Sequence, residues 1–324
     1  MTKRNLVCAV IVLVCVVLFN SILVARANDT NRIALSDNQA YPESITASSD
    51  GTLYISSLAS GGVTRISRGA TKGEPWIKPG TFDTRSTLGV LVDNATHMLW
   101  VCSNDMSAFG VPGPSPVSGS HLKGFDLRTG EGKVSAALPG ARPFCNDMAI
   151  SQDGSVFVTN TFAPQLLRLK PGSNQLEVWL EDQQFAVPSP GAGLDGIAFG
   201  GDGHLYVNTF TKGELFRIEV HNGVPGKVTK LQTSRPLVSP DGLRLVSGLT
   251  FVMVEGGGTL DRVIVTQDEA SIETLAEGFS TPTAVAVVGT TAWVAEGQLS
   301  HLFDPVKNGP PRLPFYIKAV SLEK

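Results

Sequence analysis

From Tyr41 onward the chain states one phrase six times, and this repetition constrains the fold more than any other feature. Each copy is a small or polar anchor, a short alternating run, a Gly-containing turn and a β-rich run. The copies are PESITASSDGTLYISS from Pro42, STLGVLVDNATHMLWVCS from Ser86, CNDMAISQDGSVFVTN from Cys145, LDGIAFGGDGHLYVNT from Leu194, SPDGLRLVSGLTFVMVE from Ser239 and TPTAVAVVGTTAWVAE from Thr281. Asp50-Gly51, Asp153-Gly154 and Asp202-Gly203 fall inside three of them, and Asp-Gly between alternating apolar runs is a strong hairpin signal. A third strand follows each hairpin (GGVTRIS, HLKGFDL, PQLLRLK, GELFRIE, DRVIVT, SHLFD). A fourth is read in EPWIKPG, KVSAAL, LEVWLE, KVTKLQ, SIETLA and PFYIKAV. Units of four antiparallel strands, roughly 42–58 residues apart, predict an all-β fold, a six-bladed β-propeller. An unrelated sandwich would have to match the phrase in phase six times by accident.

Composition agrees. The 34 Gly and 20 Pro among 324 residues would break helices too often for a helical bundle, while 42% hydrophobic residues suffice for a core. The blades use nearly all of residues 28–324, so a single propeller domain is expected and a second domain has no room. The longest insert, SNDMSAFGVPGPSPVSGSHL in the second blade, reads as a loop over one face. The balance of 26 Lys and Arg against 29 Asp and Glu gives a net charge of −3, without a run of five like charges. That excludes the basic footprint of a nucleic-acid binder and a polybasic membrane patch. A monomer acting on a small-molecule substrate is expected.

Residues 1–27 read as a secretory signal peptide. Lys3 and Arg4 precede the apolar run from Leu6 to Phe19, and Ala25-Arg26-Ala27 supplies a small-x-small cleavage site. The mature protein is then secreted or periplasmic and not held in a membrane; the alternative is an uncleaved N-terminal anchor. Cys8 and Cys15 leave with the leader. Cys102 and Cys145 remain, either paired or as two buried thiols, and the sequence leaves that choice open. Asn28 and Asn94 begin Asn-x-Thr sequons.

In a propeller the innermost strand of each blade lines the central channel, so residues just ahead of it converge near the axis. Here these are Glu43, Leu88, Asn146, Asp195, Asp241 and Thr283. Glu43, Asn146, Asp195 and Asp241 come from four different blades and offer hard oxygen ligands suited to Ca²⁺ or another divalent cation. Three bare carboxylates around one axis would repel, and a cation relieves that repulsion. Any one of the four alone would read as a turn residue; four in equivalent positions point to a metal site. Asn104, Asp105, Asn160 and Asn208 near the ends of second strands are secondary candidates, better read as turn caps, and Glu255 and Glu296 end the matching strands in blades five and six. Phe109, Phe144, Phe162 and Phe210 are candidates for an apolar wall.

The segments YPESI, CNDMAI, GLDGIAF and SPDGLRL resemble the channel-lining motifs of the senescence-marker-protein/gluconolactonase family, along essentially the whole mature chain. The resemblance implies a catalytic Ca²⁺ held by Glu43, Asn146, Asp195 and Asp241, hydrolysis of lactones or related esters, and a base or nucleophile role for Asp241. Two departures stand out. Asp195 occupies a position where relatives carry Asn, and the sugar-gripping Arg expected two residues before Asn146 is Phe144, with Arg142 further upstream. A paraoxonase-type catalytic His is also missing, and His97, His121, His204, His221 and His301 all lie away from the channel mouth. No Gly-x-Ser-x-Gly, His-Glu-x-x-His or phosphate-loop motif occurs. Three readings compete: a Ca²⁺-dependent hydrolase, a secreted propeller that binds a ligand or protein around a structural Ca²⁺, and a metal-free propeller resembling strictosidine synthase.

Overall fold

Each repeat phrase folds as a hairpin whose first strand runs along a common axis. The computed structural model describes residues 25–26, 31–187 and 190–323. Except for the short strand Ala25–Arg26, the predicted leader lies outside the described residues, as does Asn28.

Blade one is Ile45–Ala47, Leu53–Ser56, Val63–Ile66 and Glu74–Ile77, and blade two is Ser86–Asp93, Met98–Asn104, Ser120–Asp126 and Gly132–Ala137. Blade three is Cys145–Ile150, Val156–Asn160, Gln165–Leu169 and Glu177–Glu181, and blade four is Leu194–Phe199, Leu205–Thr209, Glu214–His221 and Val224–Lys230. Blade five, Pro240–Ser247, Thr250–Glu255, Thr259–Thr266 and Glu269–Glu277, gains Gln232–Thr233 and Ala25–Arg26 as short parallel partners of its outer strand. The strands of each blade otherwise pair antiparallel in sequence order, as the repeat predicts.

Blade six corrects the sequence reading. Its first two strands, Pro282–Val288 and Thr291–Glu296, are as expected, but SHLFD is not a strand: Leu299–Phe303 is a short helix, followed by a second over Pro305–Asn308. Pro305, Pro310, Pro311 and Pro314 lack the N–H groups a ladder needs. The chain resumes pairing only at Tyr316–Ser321, which is the third strand of the blade rather than the fourth. The fourth comes from the other end of the chain, where Arg32–Ala34 pairs antiparallel with that strand. The ring is therefore closed by hydrogen bonds between its two termini.

Aromatic side chains fill the wedge between neighbouring blades. Phe157 of blade three meets Trp179 edge-on at 4.8 Å and Phe199 of blade four at 5.4 Å, a geometry that adds to the burial of three large rings. A disulfide joins Cys102, on the second strand of blade two, to Cys145, the first residue of blade three. Asn104 reinforces the same seam by accepting the Cys145 N–H at 3.0 Å and donating to the Cys145 carbonyl at 2.8 Å. The bond closes a 43-residue separation, and for a loop of that length the chain-entropy model gives about 4 kcal/mol. Cys102→Ser combined with Cys145→Ser is expected to lower unfolding free energy by roughly 2–4 kcal/mol. Urea melts of the variant against the oxidised parent check this.

Candidate functional site

Glu43, Asn146, Asp195 and Asp241 all line one void of about 10 Å³ at the head of the channel, together with Ser44, Gly89, Asp147, Gly242, Thr283 and Ala284. The four ligand candidates read from the repeat therefore do converge. Two local devices aim them.

The first is a β-bulge. In blades two to six the ladder between the first two strands slips by one residue at the mouth position. In blade three Cys145 pairs with Asn160 but Met148 with Val158, in blade four Leu194 with Thr209 but Ile197 with Val207, and in blade five Pro240 with Glu255 but Leu243 with Met253. Blades two and six slip likewise. The extra residue kinks the strand and re-aims its side chain. The strands approach so closely there that a Cβ on Gly196 would sit 2.3 Å from the Asp241 carbonyl oxygen.

The second is a clamp two residues upstream. The carbonyls of Tyr41, Phe144, Gly193, Ser239 and Thr281 each accept an N–H from just beyond the second strand of the same blade, from Leu58, Thr161, Phe210, Gly256 and Gly297. Three of these residues take positive φ, Tyr41 at 41°, Ser239 at 52° and Thr281 at 47°. Such backbone costs on the order of 1–3 kcal/mol per non-glycine residue and clusters at functional sites. Here it turns the chain into the mouth at Glu43, Asp241 and Thr283.

Several of the secondary candidates accept backbone N–H groups. Asn160 accepts the Phe144 N–H at 3.0 Å, Asn208 the Gly196 N–H at 3.0 Å, and Glu296 the Ser280 N–H at 2.9 Å. Glu255 accepts the Val238 N–H and pairs with Arg235 at 2.7 Å. Asp105 pairs with Arg85 at 3.0 Å, and that arginine also bonds the Val117 and Pro112 carbonyls, tying the blade-two insert down. At its tip Phe109 stacks on Phe162 at 5.9 Å, Phe162 meets Phe144 at 4.7 Å, and the Arg142 guanidinium lies 5.2 Å over the Phe162 ring. No histidine is among the residues lining the void.

Glu43, Asn146 and Asp195 are only 6–7% exposed, whereas Asp241 keeps partial access to solvent. Burial, then the charges of Asp195 and Asp147, hold the Glu43 carboxyl well above its usual range. Burial is also the first cause that raises Asp195 from the ordinary 3.8 to about 7. Asp241 is raised well above the usual range by burial, then by the charges of Asp195 and Glu43. Asn146 donates from Nδ2 to Asp195 at 3.1 Å and to the Thr161 hydroxyl at 2.9 Å. Thr161 spends its own proton on the Leu194 carbonyl at 2.8 Å, so it can only accept from Asn146. The amide orientation follows, leaving Asn146 Oδ1 without a protein hydrogen bond among the described residues.

Among the described residues no three Asp, Glu, His or Cys side chains stand as a finished cation cage. The donor set still suits a hard divalent ion: three carboxylates, an amide oxygen with no protein donor, and no nitrogen or sulfur ligand. The Asn146 amide N–H on Asp195 now offsets part of the repulsion that a cation bound by the same oxygens would offset.

Sequence reasoning missed two charged residues here, Asp147 and Arg244. They form a bidentate pair across the channel, Nη1 to Oδ2 at 2.6 Å and Nη2 to Oδ1 at 2.8 Å. The signal was present. The residue after each mouth position is Ser44, Gly89, Gly196, Gly242 or Ala284 in the other blades, so an aspartate in that ring of small residues stands out.

No family profile and no curated protein sequence matches the chain. Solved structures match in shape. A gluconolactonase from Xanthomonas campestris aligns with a TM-score of 0.63 at 16% identity, covering 92% of this chain and 94% of its own. The calcium-binding protein regucalcin from Agrobacterium tumefaciens gives 0.63 at 16% identity, covering 90% and 94%. A virginiamycin B lyase from Staphylococcus aureus gives 0.58 at 14%, covering 90% and 98%. At these identities the likeness is one of fold, and proteins of different chemistry share it.

The raised carboxyls fix a pH dependence. A carboxyl whose folded pKa lies above its unfolded value adds stability that is complete below the unfolded value and is lost as pH rises through the folded one. In EDTA, the melting temperature is expected to fall between pH 4 and pH 8 through Asp195. Asp195→Asn should flatten that slope, as scanning calorimetry across the range will show.

Proposed function

We propose that this chain is a Ca²⁺-dependent hydrolase of lactones or related esters, with Glu43, Asn146, Asp195 and Asp241 holding the ion and Asp241 as base. The observation that carries the reading is the convergence of these four oxygen-bearing side chains, from four blades, on one buried void. Lactonase-type and calcium-binding neighbours of the same fold support it. When bound, a divalent ion supplies Lewis acidity toward a substrate carbonyl and charge for the developing oxyanion.

The chain's own residues divide the remaining work. Asp241 lines the void beside Glu43 and Asp195, so in its ionised form it is placed to accept a proton from a water attacking there. That proton then passes to the departing ring oxygen, and the lactone leaves as a hydroxy acid. Thr161 holds the Asn146 amide in one orientation. Phe109, Phe144 and Phe162 form a contiguous aromatic surface that would offer an apolar contact to a substrate.

Secretion or periplasmic export fits this reading. Extracellular calcium modules work with dissociation constants of roughly 10⁻⁴–10⁻³ M, and the Cys102–Cys145 disulfide suits an oxidising compartment. A second reading, a ligand-binding propeller with structural Ca²⁺, draws on the lack of a histidine around the void.

Hydrolysis of a lactone and ester panel is expected to stop in EDTA and return with added Ca²⁺. Asp241→Asn is expected to lower kcat by at least roughly a hundredfold, the usual range for a lost general base. Full activity in EDTA would overturn the reading. A melting temperature that depends on Ca²⁺, with no turnover across the panel, would favour the binding protein.

A further inference from the structure

We infer that the Arg244–Asp147 pair is a built-in counter-ion of the channel that sets how tightly the mouth binds a divalent cation. The inference rests on the metal reading above and concerns residues outside its ligand set.

Arg244 lies three residues beyond Asp241 on the first strand of blade five, and Asp147 directly follows Asn146 on the first strand of blade three. The pair thus bridges two blades with blade four between them. Both partners are fixed: the Asp147 N–H donates to Thr159 Oγ1 at 2.9 Å, and Arg244 Nη1 also donates to the Leu243 carbonyl at 2.8 Å. Arg244 Nε is buried without a hydrogen-bond partner among the described residues, so the guanidinium is held by its two-pronged contact with the carboxylate.

The location makes this more than a packing feature. Asp147 lines the void of about 10 Å³ beside Glu43, Asp195 and Asp241. Arg244 lines a separate chamber of about 370 Å³ further along the channel, with otherwise apolar or small neighbours such as Ala149, Ala198 and Ala286. The guanidinium is therefore the floor under the mouth. It is a permanent cation, since an arginine cannot lose its charge in a protein. Fully ionised, the mouth holds four carboxylates against this one guanidinium, so a divalent cation would still find an excess of negative charge. Removing Arg244 would deepen that excess. Neutralising Asp147 would leave the guanidinium's charge uncompensated and raise the potential at the mouth.

A pair that acts through charge and a pair that merely props up the strands respond differently to substitution. Isothermal titration of Ca²⁺ alone into the full chain reads the difference. Arg244→Met is expected to tighten Ca²⁺ binding by roughly tenfold, and Asp147→Asn to weaken it by a similar factor. Arg244→Lys, which keeps the charge, and the charge-balanced double variant Arg244→Met/Asp147→Asn are both expected to stay within about threefold of the parent. If Arg244→Met does not fold, weakened binding in Asp147→Asn with recovery in the double variant carries the same result. Weakening in both single variants, or no change in either, overturns the inference while leaving the metal site standing. Failure of the parent to bind Ca²⁺ overturns the metal reading and this inference with it.

Discussion

The dominant constraint on this molecule is electrostatic crowding at the axis. Glu43, Asp195, Asp241 and Asp147 meet where six strands converge, and among the described residues Arg244 is the cation paired with them. Burial first, and then the like charges crowded around the axis, raise the Glu43, Asp195 and Asp241 carboxyls. A fold that merely needed a core would fill this space with apolar side chains. Here the Arg244 pair and the Asn146 amide hold the carboxylates together against their repulsion instead.

Holding them together falls to the backbone. The bulge at each mouth and the carbonyl clamp two residues upstream make the site a property of strand geometry rather than of loops. Positive φ at Tyr41, Ser239 and Thr281 is the local cost of that geometry. The cost is offset across the ring by aromatic packing between blades, by the Cys102–Cys145 bond between blades two and three, and by Arg32–Ala34 completing blade six. A propeller with an open seam would let the first strands splay, and the carboxylates would relax outward.

Much of this was legible in the residues. The six phrases placed the hairpins and their channel-facing strands, and four oxygen donors fell in equivalent positions before any geometry was known. Blade six was misread because a short apolar run, SHLFD, has the composition of a strand but sits ahead of four prolines. Local pattern cannot reveal that its blade is completed from the other end of the chain, since that pairing joins Ile33 to Ile317. The pairing of Cys102 with Cys145 was equally open, because spacing does not report distance.

The sequence by itself determined the class of fold, the number of blades and four of the oxygen-bearing mouth residues, because these follow from the repeat pattern, which is written along the chain. Only the tertiary structure decided which groups share one field. Asp147 and Arg244 are 97 residues apart and meet because the ring curls their strands onto a common axis. The contact of Asn146 with Asp195, and the orientation of Asn146 fixed through Thr161 and the Leu194 carbonyl, depend on distances between different blades. Electrostatic coupling falls off with separation in space, and separation along the chain says little about it.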